Sequence, residues 1–166
     1  MLQIDSRTPA LDAVEPTGLR TPQPLGRPLR ILLVEDNPGD VRLIREAFRE
    51  ANLAYEVDVA EDGVIALEAL RGNGNGSARP RPDMILLDLN LPRKDGREVL
   101  AEVKADPVLR SIPVIVLTTS EAEQDVAGAY DLQANCYVTK PIDFSRFMSV
   151  IGSIESFWLQ TVKLPS

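Results

Sequence analysis

Five short apolar runs of strand length alternate along this chain with segments whose apolar residues recur at helical spacing, and few folds satisfy that alternation. The first run, Leu29-Arg30-Ile31-Leu32-Leu33-Val34, stops at Glu35-Asp36. Asn37 and Pro38 then supply an N-cap and a first-turn proline, and behind them Val41, Leu43, Ile44, Ala47 and Phe48 recur at helical spacing. The same reading predicts strands at 55–59, 84–87, 114–117 and 135–138, and helices at 63–70, 97–104 and 122–131. A last helix is expected from about Phe144 to Phe157 or Trp158, with Pro165 beyond it. A strand that is apolar along its length must be covered on both faces, and a helix between two such strands is the connection that covers them. The expected fold class is α/β: a doubly wound, five-stranded parallel sheet with helices on both faces.

Outside these units the chain changes character. Residues 1–28 carry Pro9, Pro16, Pro22, Pro24 and Pro28 without sustained apolar periodicity, so they bury too little surface to offset the entropy of ordering. They are expected to form a disordered, proline-rich arm, with one folded domain over 29–158 and a tail over 159–166. A chain of 166 residues has room for one domain whose core needs neither disulfide nor structural metal. Gly72-Asn73-Gly74-Asn75-Gly76-Ser77 follows a helix and runs into Pro80 and Pro82, which makes it a flexible loop instead of a phosphate-binding one.

Composition excludes several kinds of chemistry. One Cys and no His leave no disulfide framework, no Cys/His zinc site, no imidazole-based triad and no phosphohistidine of the chain's own. Cys136, inside the fifth predicted strand, is expected to be a buried, inert thiol. A formal net charge of -7 lacks the basic footprint that nucleic acid binding draws on. No apolar run approaches the roughly 20 residues of a membrane-spanning helix, and no signal peptide pattern opens the chain, so a cytoplasmic location is expected.

Ligands of a doubly wound sheet sit outside the carboxyl ends of its strands, and here those ends are chemically consistent. The first strand ends in Glu35-Asp36, the third in Asp88, and the fourth in Thr118-Thr119, while Thr139-Lys140-Pro141 follows the fifth. Three carboxylates packed together raise some of their own pKa values unless a cation joins them. Mg²⁺ suits such a partial oxygen set, because it keeps several waters and takes further ligands from phosphate oxygens. Taken one at a time, each residue also has an ordinary explanation: a solvated strand end for Glu35-Asp36, a snorkelling Lys140, a loop-capping Thr118.

Together, Glu35-Asp36, Leu86-Leu87-Asp88-Leu89-Asn90-Leu91-Pro92, Thr118 and Lys140-Pro141 resemble the receiver domain of two-component response regulators, over about residues 29–158. Val34-Glu35-Asp36-Asn37-Pro38-Gly39-Asp40, Asp95-Gly96-Arg97-Glu98-Val99-Leu100 and Phe157-Trp158-Leu159-Gln160-Thr161-Val162-Lys163-Leu164-Pro165 resemble the phytochrome-associated, single-domain subgroup. The resemblance implies a flavodoxin-like strand order of 2-1-3-4-5. It implies Asp88 as phosphoacceptor, Asp36 as a direct Mg²⁺ ligand, Glu35 acting partly through water, and Asn90 contributing its main-chain carbonyl. Lys140 would pair with the phosphoryl group, and Asn90 and Ser120 would flank the approach of water. Thr118 and Tyr137 would form the switch, and the Lys140–Pro141 bond would be cis.

Such a chain would be a phosphoacceptor switch and not an enzyme with a separate substrate. It would be fed by a histidine kinase, in this subgroup a phytochrome. The roughly ten residues after the domain are too few for a helix-turn-helix output domain, so output would pass to another protein. Because active receivers commonly pair through the fourth helix, fifth strand and fifth helix, the resemblance, together with the apolar stripe Ile151, Ile154, Phe157, Trp158 and Leu159, implies a homodimer. Two competitors share some of these residues. Asp88-Leu89-Asn90 echoes the Asp-x-Asp of haloacid-dehalogenase phosphatases, but Asn90 cannot act as their general acid, and Asp88 lies on the third strand instead of the first. A degenerate receiver would bind its partner without ever taking phosphate, which the complete acidic, Thr and Lys set argues against.

Overall fold

The computed structural model describes residues 27–50, 54–72 and 80–165. Its elements run β1 (Leu29–Val34), α1 (Pro38–Glu50), β2 (Tyr55–Ala60), α2 (Gly63–Arg71), β3 (Met84–Leu87), α3 (Gly96–Ala105), β4 (Val114–Thr118), α4 (Glu123–Asp131), β5 (Cys136–Thr139) and α5 (Phe144–Ile154). A π-helical segment, Glu155–Thr161, continues α5. All four strand pairings are parallel and the order is β2-β1-β3-β4-β5, as the resemblance implied.

Because side chains alternate across a strand, the apolar runs feed two cores at once. Leu32, Val34, Ile85, Leu87, Val114 and Val116 face Ala66 and Leu67 of α2, Val99, Leu100 and Val103 of α3, and Ala129 of α4. Ile31, Leu33, Met84, Leu86, Ile115 and Leu117 face Ile44, Ala47 and Phe48 of α1 and Phe147, Ile151 and Ile154 of α5. Each large apolar side chain fully buried this way stabilises the fold by about 1.5–3 kcal/mol. Helix starts are set by short acceptors: the Asn37 carboxamide accepts from Gly39 N at 2.8 Å, and Asp62, Asp95 and Asp143 cap α2, α3 and α5. Asp95 and Glu98 complete a reciprocal capping box.

Four expectations need correction or restriction. Arg27 and Pro28, assigned to the arm, are described, and Arg27 grips both oxygens of Asp83 at 2.7 and 2.8 Å. A guanidinium fork fits a carboxylate in two places at once, which holds the chain two residues earlier than apolar periodicity can register. Residues 1–26 of the expected arm, and 73–77 of the expected loop, lie outside the described residues. The C-terminal helix does not stop at 158 but reaches Thr161 by widening into a π-helix, where Val162 N donates to Phe157 O at 3.0 Å and Gln160 Nε2 to the buried Glu155 at 2.6 Å. Cys136 is half-buried instead of buried, because β5 is an edge strand; burial still pushes its thiol pKa up.

Strand register positions the chemistry. Val34 pairs with both Ala60 and Leu87, so the residues that follow it and Leu87, Glu35 and Asp88, leave the sheet side by side. Thr118 pairs with Thr139, which sets Lys140 at the same edge.

Candidate functional site

The main chain brings Asp88 to the carboxyl edge of the sheet and holds it there. Asp88 N donates to Val34 O at 3.0 Å, which ties it to β1, and the turn beyond it closes when Asn90 N donates to Asp88 Oδ1, also at 3.0 Å. Gly96, the first residue of α3, lies so close to the Asp88 carbonyl that a Cβ would collide with it. The absence of a side chain at 96 thus lets α3 begin directly beneath the acidic turn.

Lys140 arrives from β5, its backbone N bonded to Thr118 O at 2.7 Å. Its side chain is 4% exposed, and Nζ meets Glu35 Oε2 at 2.5 Å, Asp88 Oδ2 at 2.7 Å and Asp40 Oδ2 at 2.9 Å. Burial on its own would lower the ammonium's pKa, but the bonds to Asp88 and Glu35 outweigh it and hold Lys140 well above its usual range. Burial raises the Glu35 carboxyl, with Lys140 and the Asn37 N–H opposing it. One ammonium faces four carboxylates once the exposed Asp36 is included, so negative charge remains in excess.

Glu35, Asp36 and Asp88 can each place an oxygen within 4.8 Å of the others'. This all-oxygen, partly open set fits a hard divalent cation and suits no soft or imidazole-seeking metal. The donor chemistry and the surplus charge therefore agree on a divalent ion at this edge.

The remaining expected residues are distributed around that centre. Thr118 is fully buried, and its Oγ1 accepts from Asn90 Nδ2 at 3.4 Å, so the hydroxyl lies one contact away from the Asp88 turn. Tyr137 is half-buried, and its hydroxyl donates to Ser120 O at 3.0 Å. No cis peptide bond occurs among the described residues, which corrects the expectation for Lys140–Pro141. An X–Pro bond favours trans by about 0.5–1 kcal/mol unless its surroundings reverse that, and Lys140 reaches all three carboxylates without it.

Two groups escaped the sequence reading. Asp40 lies in the first turn of α1, where an acidic residue is already explained by the helix dipole, so nothing marked it as a partner of Lys140 100 residues away. Asp125 is the other: Arg97 and Ser120 were already singled out, but Asp125 joins them in a chain of contacts between the starts of α3 and α4. Its only trace in the sequence is an acidic residue near a helix start, which is too common to single out.

Residues 31–152 match the family described as response regulator receiver domain. The chain is 49% identical over 139 residues to response regulator Rcp1 of Synechocystis sp., covering 84% of this chain and 95% of that protein. Among solved structures, it is similar to the phosphorylated cyanobacterial phytochrome response regulator RcpA at 51% identity and TM-score 0.81, over 84% of this chain and 99% of that one. The Mn²⁺-bound form of Rcp1 is 49% identical with TM-score 0.81, over 84% of this chain and all (100%) of the other.

Proposed function

The chain belongs to the response regulator receiver family, and on that premise we propose that Asp88 accepts a phosphoryl group from a phosphohistidine of a partner histidine kinase of the phytochrome type. The observation that carries this is the meeting of Lys140 Nζ and Asp88 Oδ2 at 2.7 Å beside the Glu35, Asp36 and Asp88 oxygens.

In the transfer, a carboxylate oxygen of Asp88 forms a bond to phosphorus as the bond to the kinase imidazole nitrogen breaks, giving an acyl phosphate and a neutral histidine once a proton is taken up. Glu35, Asp36 and Asp88, with the Asn90 carbonyl, would hold Mg²⁺, which when bound would supply positive charge to offset the phosphoryl oxygens. Lys140 supplies the second positive charge from its place against Asp88. Asn90 N, bonded to Oδ1, keeps the carboxylate oriented while its other oxygen reacts.

Switching follows as a population shift between two packings. The Thr118 hydroxyl turns from Asn90 towards the phosphoryl oxygens, and Tyr137 exchanges its bond to Ser120 O for the space that this vacates. Tyr137→Ala therefore changes the affinity for the output partner, and equal affinities of native and variant in both phosphorylation states would reject the aromatic half of the switch. The signal passes by protein–protein contact in the cytoplasm, from a homodimer; a monomer mass by light scattering with and without phosphorylation would reject the dimer.

The chemistry is tested by intact mass after incubation with acetyl phosphate and Mg²⁺. One labile phosphoryl adduct is expected on the native chain and none on Asp88→Asn or in the absence of metal. Turnover of small phosphate esters in the same incubation would instead favour an aspartyl phosphatase.

A further inference from the structure

Between the starts of α3 and α4, three side chains join end to end next to the candidate site. Arg97 is pinned on one side by Asp95, the N-cap of α3, with Nη1 2.9 Å from Asp95 Oδ2. On the other side its Nη2 and Nε lie 2.5 and 3.1 Å from Asp125 Oδ1, in the first turn of α4. Asp125 uses its second oxygen, Oδ2, to accept the Ser120 hydroxyl at 2.5 Å. The hydrogen bond from Ser120 and the charge of Arg97 hold the Asp125 carboxyl below the usual range, so it remains an acceptor at neutral pH.

Ser120 is close enough to Asp88 for that engagement to matter. Its backbone N lies 3.5 Å from Thr118 Oγ1, which is 3.4 Å from Asn90 Nδ2, and Asn90 N is bonded to Asp88 Oδ1. The loop bearing Ser120 is therefore linked to the Asp88 turn through Thr118 and Asn90, yet the Ser120 hydroxyl donates to Asp125 of α4. The α4 helix provides no side-chain cap of its own at Ala122, and among its residues only Ala129 is buried. The Arg97–Asp125 pair thus ties the first turn of α4, and through it the Ser120 hydroxyl, to the start of α3.

We propose that Arg97 and Asp125 are positioning residues that lengthen the life of the phosphoryl group by keeping the Ser120 hydroxyl turned away from Asp88. The inference rests on the phosphoacceptor reading above. In hydrolysis, water oxygen bonds to phosphorus as the bond to the Asp88 oxygen breaks; the carboxylate leaves, and the proton of the water passes to the departing phosphate. A Ser120 hydroxyl freed from Asp125 can accept a hydrogen bond from that water and orient it, whereas one held by Asp125 cannot.

The test follows decay of the Asp88 adduct by intact mass, after removal of acetyl phosphate, on the full chain with Mg²⁺ present. Asp125→Ala is expected to shorten the lifetime at least about threefold, the scale of one lost ion-pair restraint expressed as a rate. Arg97→Ala shortens it less, Asp125→Asn, which keeps an oxygen for Ser120, falls between, and Ser120→Ala added to Asp125→Ala restores most of it. A lifetime unchanged in Asp125→Ala, or a shortening that survives Ser120→Ala, overturns the proposal. An adduct that never forms on the native chain removes the phosphoacceptor reading and this inference together, whereas a normal adduct with equal lifetimes in all variants removes this inference alone. Thermal unfolding of each variant checks that it folds, and Asp125→Asn decides the outcome if Asp125→Ala does not.

Discussion

Two regions of the molecule, the α1–α5 side and the α4–β5 edge, are held very differently. On one, α1 buries Ile44, Ala47 and Phe48 and α5 buries Phe147, Ile151 and Ile154 against the same strands. At the other end of the sheet, α4 buries only Ala129, lacks a side-chain cap, and rests on β5, every residue of which is half-buried. The polar residues divide in the same way. Glu35 and Asp40 stand at the start of α1, on the firmly packed side, while Thr118, Ser120 and Tyr137 stand where β4 and β5 meet α4. In the proposed switching, the groups that stay in place are built on many buried apolar contacts, and Tyr137, which moves, stands on a half-buried edge strand.

Substitutions can break or sharpen that contrast. The largest effect is expected from Phe48→Ala, about 3–5 kcal/mol of stability by denaturant unfolding, because a fully buried ring leaves a cavity that its neighbours fill only in part. A loss under about 1 kcal/mol would mean that the α1 face is not the anchor described.

Lys140→Ala is expected to cost about 3–5 kcal/mol without metal, since Glu35 and Asp88 are left buried and facing one another without their cation. Added divalent ion should recover part of that loss, as a rise in melting temperature that saturates with concentration. No recovery would argue against metal binding by these carboxylates.

Asp83→Ala is expected to cost about 1–3 kcal/mol, because Arg30 N donates to Asp83 at 2.8 Å and would lose its acceptor. Burial raises the Asp83 carboxyl, but the bonds from Arg27 and Arg30 N prevail, and its pKa lies below the usual value. A depressed carboxyl stabilises above its unfolded pKa and loses that contribution as pH falls through the folded value. The native chain should therefore lose stability over that acid interval more steeply than Asp83→Ala, and parallel curves would contradict the assignment. Deleting residues 1–26, which spares Arg27, should leave both stability and phosphorylation intact.

The smallest effect is expected on the lightly held side. Tyr130, exposed on α4, should tolerate Ala within about 0.5 kcal/mol, and a larger loss would show that α4 is anchored more firmly than its burial indicates.

Legibility in the sequence follows the same division. The bounds of β1 and β3 agree with the apolar runs, and β4 differs by one residue, because strands buried on both faces must be apolar throughout. The C-terminal helix was misjudged at its end, since the change from α to π winding at Glu155 leaves the composition of the segment unaltered. Acidic and basic residues at the strand ends were legible as a set, because a doubly wound sheet gathers whatever follows its strands at one edge.

What the sequence alone determined was therefore the layering, the strand order through its family pattern, and the meeting of Glu35, Asp36, Asp88, Thr118 and Lys140 at one edge. Only the tertiary structure decided that Lys140 also takes Asp40, that Arg27 closes on Asp83, that Arg97 holds Asp125, and that the bond before Pro141 is trans. The physical reason is range. Periodicity and caps act over a few neighbouring residues, whereas these ion pairs join positions 100, 56 and 28 residues apart, and only packing of the helices onto the sheet brings such charges within reach.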